Sequence, residues 1–259
     1  MSHLKLHDVS VDYPIFDANS RRLLGPNSLP ISVGGRIHAG RNNTIIVNAL
    51  SGISFTAAAG DRIGLIGQNG SGKSTLLRVL AGIYFPTSGH IEREGTTACL
   101  LNLDMGMDVE ESGYRNINLM GLLLGMRPRE IQAITDEVAA FTDLGPYLEL
   151  PVRTYSDGMK ARLAFAIVTA QSPEILLIDE GIGAGDAAFQ EKAKKRLDAF
   201  TGSAEIVVVA THSRDLIEGL CSRCILLHKG QLLYDGEVSE AFRCYDDVIQ
   251  GRLDAPAPA

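Results

Sequence analysis

The sequence predicts an α/β fold, and three observations carry that prediction. Gly67-Gln68-Asn69-Gly70-Ser71-Gly72-Lys73-Ser74 fits the phosphate-binding loop pattern G-x-x-x-x-G-K-S/T at every fixed position. The apolar run 62–66 before it reads as a buried strand, and 74–80 after it as a helix. Two further runs, 175–178 and 206–210, are short and continuously apolar, as expected of strands buried on both faces of a parallel sheet.

The remaining elements follow in chain order. Apolar residues at Leu4, Leu6, Val9 and Val11 predict a strand over 4–11. Residues 17–42 have no clear period and are rich in glycine and polar residues. Their charged side chains are Asp17, Arg21, Arg22, Arg36 and Arg41, so the stretch is locally basic. Within it, 17–24 suits a short capped helix ending near Gly25-Pro26. Strands are expected at 44–48 and 53–57, followed by a turn at Gly60-Asp61. After the loop helix, Pro86-Thr87-Ser88-Gly89 is a turn, and strands are expected at 90–94 and 98–103. From 105 to about 141 the character is helical. Leu119, Met120, Leu123 and Leu124 fall on one helix face, and 128–141 forms a second helix. Strands 224–228 and 231–234 flank Lys229-Gly230, a hairpin signal. The alternating Ala-Pro tail 255–259 is expected to be disordered. No internal repeat is present, so the chain carries one nucleotide site set.

Composition sets limits. At 259 residues and 45% hydrophobic content, the chain has enough material for one large α/β core or two small ones. A net charge of −7 argues against nucleic-acid binding driven by bulk charge. No apolar run approaches the ~18–20 residues a membrane span requires. The nearest, 117–126, holds Asn118 and two glycines. Lys5 has no long apolar segment behind it, so no signal peptide is expected. Cys99, Cys221, Cys224 and Cys244 do not read as a disulfide framework. Cys221-Ser222-Arg223-Cys224 lacks a second ligand pair for zinc, so packed thiols are expected.

Chemistry concentrates in an ordered set of segments. The loop glycines let backbone N–H groups wrap a polyphosphate, and the helix N-terminus adds positive potential. Lys73 is placed for the outer phosphates and the Ser74 hydroxyl for Mg²⁺. Tyr155-Ser156-Asp157-Gly158-Met159-Lys160 precedes the strongly helical 161–168, so Ser156 and Gly158 mark a second helix N-terminus able to receive an anion. The strand 175–178 runs into Asp179 and Glu180: Asp179 suits a Mg²⁺ shell, and Glu180 suits polarising an attacking water. Ala184-Gly185-Asp186 follows. His212 ends another strand, where it can reach a γ-phosphate.

This ordered set resembles the ATP-binding cassette (ABC) ATPases over nearly the whole chain. Residues 155–159 resemble the L-S-G-G-Q signature, with departures at Tyr155, Asp157 and Met159. The form Tyr-Ser-x-Gly-Met followed by Arg-Leu-x-Phe-Ala, with the lead-in Val152-Arg153-Thr154, is similar to the polysaccharide and teichoic-acid exporter branch. So are 80–89, Gly121-x-x-Leu124-Gly125-Met126 and Gly185-Asp186-Ala187-x-Phe189.

The resemblance implies a P-loop NTPase fold with a RecA-like core, an N-terminal antiparallel β subdomain and a helical subdomain inserted at about 103–168. All lie in one cassette over 1–250, with 251–259 as a tail. It implies ATP and Mg²⁺ as cofactors. Gly67, Asn69, Gly70, Ser71, Gly72, Lys73, Ser74 and Thr75 take the phosphates; Ser74, Asp179 and Asn102 take the metal; Lys73, Glu180 and His212 act in catalysis. Asn102 stands where the family usually has Gln and this branch often has an acid. Arg115 reverses the charge of the usual T-G-R-E-N-I segment near the expected membrane-protein contact. Tyr13 is the candidate for stacking on adenine, with Phe16 second. The alternative is that Tyr13 serves a polymer entrance beside the insertion after Phe16.

Ser156, Gly158 and Asp186 are expected to meet the ATP of a second copy in a head-to-tail dimer. The expected partners are that copy, a separate transmembrane permease and, indirectly, a polysaccharide, at the cytoplasmic face of the cell membrane and without nucleic acid. No C-terminal carbohydrate-binding β-domain is expected. Two alternatives stand beside this reading: the ATPase of another ABC transporter, and an ABC ATPase outside transport.

Overall fold

The computed structural model describes residues 2–15, 36–39, 45–100, 106–179 and 187–253. The chain divides into two compact units, one of residues 1–95 with 205–259, the other of residues 96–204. The helix expected at 17–24 and the end of the tail lie outside the described residues.

The first unit holds two sheets. One is antiparallel, built from β1 (His3–Ile15), β2 (Arg36–Ala39), β3 (Ile45–Ala58) and β5 (Ser88–Glu94) in the order β2-β3-β1-β5. The sequence suggested two strands over 44–57, but β3 is continuous. Gly52 at φ 64° and Asp8 on β1 at φ 51° mark register shifts rather than turns. Such bulges insert a residue into the ladder without ending it. The other sheet contains β4 (Arg62–Ile66), β8 (Ile206–Ala210), β9 (Arg223–His228) and β10 (Gln231–Gly236). β4 runs parallel to both β8 and β9, with Ile63 opposite Val208 and Leu65 opposite Ile225. Every residue of β8 is buried, which is why that run contains no polar residue. β9 and β10 close a hairpin in which Lys229 and Gly230 both take positive φ, 48° and 79°. Its described helices are α1 (Lys73–Leu80), α6 (Arg214–Leu220) and α7 (Val238–Ile249).

The second unit pairs β6 (Thr97–Leu100) in parallel with β7 (Ile175–Ile178). Among the described residues four α-helices accompany them: α2 (Gly113–Leu123), α3 (Pro128–Thr142), α4 (Asp157–Val168) and α5 (Ala187–Ser203). Phe141, Phe165 and Phe189 form a triangle of rings 5.6–6.3 Å apart in its core. Arg196 and Lys192 lie over the Phe141 ring at 4.4 and 4.9 Å.

On α2 the buried stripe differs from the face read in the sequence. Ile117, Met120 and Gly121 are buried, while Leu119, Leu122 and Leu123 are exposed. Gly121 lies against Ile131, where a Cβ would stand 2.7 Å from that side chain. A glycine that lets two helices approach is invisible to an apolar pattern.

Candidate functional site

The phosphate loop joins β4 to α1 and is held from several sides. Gly67 has φ 148°, and a Cβ there would stand 2.2 Å from the Leu227 carbonyl oxygen. Gly72 caps α1 at φ 107°, with no room for a Cβ between Leu50 and the Ala49 carbonyl, at 2.8 and 2.9 Å. The hairpin supports the loop as well: Gly230 N–H donates to the Ser71 carbonyl at 3.0 Å, and Ser51 N–H donates to the Gly230 carbonyl at 2.8 Å. Lys73 curls over the loop, and its Nζ donates to the carbonyls of Gly67 at 2.6 Å and Gln68 at 3.3 Å. Its ammonium is therefore held at the concave side, in a residue only 8% exposed.

One polar atom in the loop is left over. Ser71 Oγ is buried and makes no protein hydrogen bond. A buried hydroxyl without a partner is costly, and a phosphate oxygen would relieve it. Together with the adjacent α1 N-terminus and the Lys73 ammonium, this hydroxyl makes the loop fit a polyphosphate.

Two other sequence-derived candidates meet the loop. His212 follows β8, in a turn where Thr211 Oγ1 accepts from Ser213 N–H at 3.0 Å and Ser213 caps α6. His212 Nε2 lies 3.1 Å from Asn69 Oδ1, so the histidine is brought onto the loop. Tyr13 lies on β1 opposite Val47. It hydrogen-bonds the Thr75 side chain on α1 and packs edge-on against Tyr84, with centroids 5.9 Å apart. Burial raises the Tyr13 phenol pKa, opposed by the Thr75 hydrogen bond. The Arg78 guanidinium stands over the Tyr84 ring at 5.7 Å. Sequence reasoning gave Tyr84 and Arg78 no role. Their only signal was position: one turn into the loop helix, and shortly past its end.

In the second unit, Asp179 leaves β7 half-buried, its N–H donating to the Leu100 carbonyl at 3.0 Å. The carboxylate thus emerges at the carboxyl edge of the β6–β7 pair. Asn102, Glu180 and Asp186 lie outside the described residues, as does Phe16.

The segment 155–159 forms the start of α4. Ser156 is its N-cap, accepting from Met159 N–H at 3.2 Å, and Asp157 is exposed and paired with Lys160 at 3.3 Å. A Cβ on Gly158 would meet only Ser156 Oγ, at 3.9 Å, so packing leaves that position open. Tyr155 is buried. Its hydroxyl donates to the Tyr147 carbonyl at 2.6 Å and accepts from the Gly113 backbone. Burial raises the Tyr155 pKa, and the Gly113 bond lowers it. A Cβ on Gly113 would stand 2.5 Å from that oxygen. The tyrosine hydroxyl therefore ties the start of α4 both to Gly113 at the start of α2 and to Tyr147 between α3 and α4, contacts that a leucine lacks.

Asn116, also on α2, is fully buried. Its amide donates to the carbonyls of Asp108, Glu111 and Ser112 at 2.8–3.2 Å and accepts from Asp108 N–H at 2.8 Å. It organises the loop ahead of α2. Arg115, the charge-reversed position, is exposed and lies 3.7 Å from Glu111. Cys221 and Cys224 are buried thiols pushed up to about 12 by desolvation, which makes them poor nucleophiles and poor metal ligands.

Comparison with known proteins places this geometry. The ABC transporter family profile matches residues 50–183. The O-antigen export system ATP-binding protein RfbE of Yersinia enterocolitica is 49% identical over 235 residues, covering 91% of this chain and 98% of its own. The O-antigen export system ATP-binding protein RfbB of Myxococcus xanthus is 40% identical over 79% of this chain, which spans 47% of that longer protein. A dimeric ATP-binding cassette in a post-hydrolysis state, bound to ADP and Pi, shares the fold at TM-score 0.65 and 19% identity, over 91% of this chain and 98% of its own. The phosphate loop, the helix cap at Ser156 and the near end-to-end match with RfbE agree: the chain belongs to the ABC transporter family, in the branch that holds these export ATP-binding proteins.

Proposed function

We propose that this cassette hydrolyses ATP to drive a lipid-linked polysaccharide through a separate membrane permease, acting as a head-to-tail pair at the cytoplasmic membrane face. The observation that carries the reading is the likeness to RfbE over almost the full length of both chains, in a protein whose loop fits a polyphosphate. No described helix is long and apolar enough to cross a membrane.

The roles proposed for the site residues are those the sequence implies. The loop backbone, Ser71 and Lys73 hold the phosphates, and Thr75 stands beside them with its side chain tied to Tyr13. Tyr13 and Tyr84 offer aromatic surface for adenine. Mg²⁺, held by Ser74, Asp179 and Asn102, neutralises charge on the phosphate oxygens when bound. Glu180 orients the attacking water, and His212, steadied by Asn69, contacts the γ-phosphate. The N-terminus of α4, with Gly158 open to close approach, faces the ATP of the second copy, where Asp186 also lies. Each ATP then contacts both copies and favours the closed pair; hydrolysis removes the bridging phosphate and reopens it.

Deleting the gene in its native host tests the export reading. Surface polysaccharide is expected to disappear while lipid-linked polymer accumulates inside, and a Lys73→Ala copy is expected not to restore it. Normal surface polymer in the deletion strain would overturn the substrate assignment.

A further inference from the structure

We propose that His7, His90 and Glu92 form a binding site for one divalent transition-metal ion of the zinc class, on the exposed face of the antiparallel sheet in the first unit. The inference rests on strand register and side-chain geometry, and it is independent of the ATP site.

Alternation along each strand puts the residues on one face. His3, Lys5 and His7 are spaced by two on β1, as are His90, Glu92 and Glu94 on β5. The antiparallel register sets His7 directly opposite His90, Lys5 opposite Glu92 and His3 opposite Glu94. The two facing imidazoles stack, with centroids 4.5 Å apart and planes 17° apart. Both direct Nε2 toward the same oxygen: Glu92 Oε1 lies 3.6 Å from His7 Nε2 and 3.9 Å from His90 Nε2. One ligand atom from each of the three residues falls within 4.8 Å of the others.

These distances suit a metal better than direct hydrogen bonds. They exceed the ordinary range for a nitrogen–oxygen hydrogen bond. A tetrahedral zinc ion with bonds of about 2.0–2.1 Å separates its ligand atoms by roughly 3.4 Å. Closing the two nitrogen–oxygen gaps takes a few tenths of an ångström, and the two ring nitrogens, which lie within 4.8 Å, approach as the stacked rings turn; all three side chains are exposed. Two neutral imidazoles and one carboxylate make a borderline donor set of the kind that binds Zn²⁺, Co²⁺ or Ni²⁺. The fourth position is left to water.

The backbone beneath the cluster is braced. Asp8, next to His7, takes φ 51°, and its N–H donates to Ser54 Oγ at 2.9 Å. Gly89, next to His90, lies so close that a Cβ would stand 2.4 Å from the His7 carbonyl oxygen. Both imidazoles thus project from strands locked at a bulge, which limits the ordering cost of binding an ion.

Lys5 opposes the site. Its ammonium lies 3.3 Å from Glu92 Oε2, and it is the first cause of the lowered Glu92 pKa, ahead of His7 and His90. Glu92 therefore offers Oε1 to the ion while Oε2 stays with lysine. His3 Nδ1 and Glu94 lie 3.4 Å apart on the same face of the two strands. An ion held by residues of both strands ties β5 to β1, the strand that carries Tyr13.

The test is a Zn²⁺ titration of the nucleotide-free full chain against a chelating indicator, repeated with Co²⁺ for its absorption spectrum. The parent is expected to bind one ion. The double variant His7→Asn/His90→Asn and the single variant Glu92→Gln are expected to bind about tenfold or more weakly, with metal-free melting unchanged. Lys5→Gln is expected to bind more tightly, a gain that general damage does not produce. The Co²⁺ complex is expected to lack a thiolate charge-transfer band. Parent affinity in the double variant, weaker binding in Lys5→Gln, a thiolate band or no binding by the parent would each overturn the proposal.

Discussion

The phosphate loop and the start of α4 both offer anions a helix N-terminus, yet they are built in opposite ways. In the loop, packing dictates sequence: Gly67 and Gly72 lie where a Cβ would collide with backbone carbonyls. At α4, packing dictates only the residue before the cap. Tyr155 is bracketed by Gly113 and Tyr147, whereas Gly158 faces open space. A glycine required by neighbours is a folding residue as well as a binding one. A glycine with no such neighbour is best explained by something that approaches from outside. The α4 segment keeps the family residue at Ser156 and at the open Gly158, and departs at the packed Tyr155 and at Asp157 and Met159.

Substitutions can break this contrast or sharpen it. The largest effect is expected from Gly67→Ala, which adds a steric clash to an unfavourable φ. It should cost on the order of 3 kcal/mol in urea denaturation and abolish nucleotide binding. Gly113→Ala comes next, at about 1–3 kcal/mol, because its Cβ meets the Tyr155 hydroxyl. Adding Tyr155→Phe removes that hydroxyl and should return part of the loss; a double-mutant cycle with no coupling would disconnect the pair. Ser156→Ala removes an N-cap acceptor and should cost about 1 kcal/mol by thermal melting. Gly158→Ala is the smallest in stability. It should leave the fold unchanged or raise it by up to about 1 kcal/mol, while ATP turnover falls by about tenfold or more. Equal destabilisation by Gly67→Ala and Gly158→Ala would erase the distinction.

Legibility in the sequence followed the same physics. The loop, β7 and β8 could be read directly because their patterns are set by local needs: glycines under backbone contact, and continuous apolar runs where both faces are buried. The full length of β3 could not, because Gly52 bulges inside the ladder and looks like a turn residue, and the apolar alternation that marks β1 stops at Val11 although the strand runs on to Ile15. On α2 a leucine face was visible, but the buried stripe runs through Gly121, whose use appears only beside Ile131. The link from Tyr13 to Thr75 and Tyr84, the bracket around Tyr155 and the histidine pair on β1 and β5 all join residues far apart in the chain. Register and tertiary packing create them, and no local pattern encodes either.

The central claim is that the open helix start at Ser156 and Gly158 completes the ATP site of a second copy. Sedimentation of the Glu180→Gln variant with ATP tests it most directly, since blocked hydrolysis should trap the pair. The account predicts a dimer that forms only with ATP and is lost when Gly158→Glu is added, because that change puts a carboxylate where phosphate is expected. A Glu180→Gln protein that stays monomeric with ATP, or a Gly158→Glu double variant that still dimerises, would contradict it.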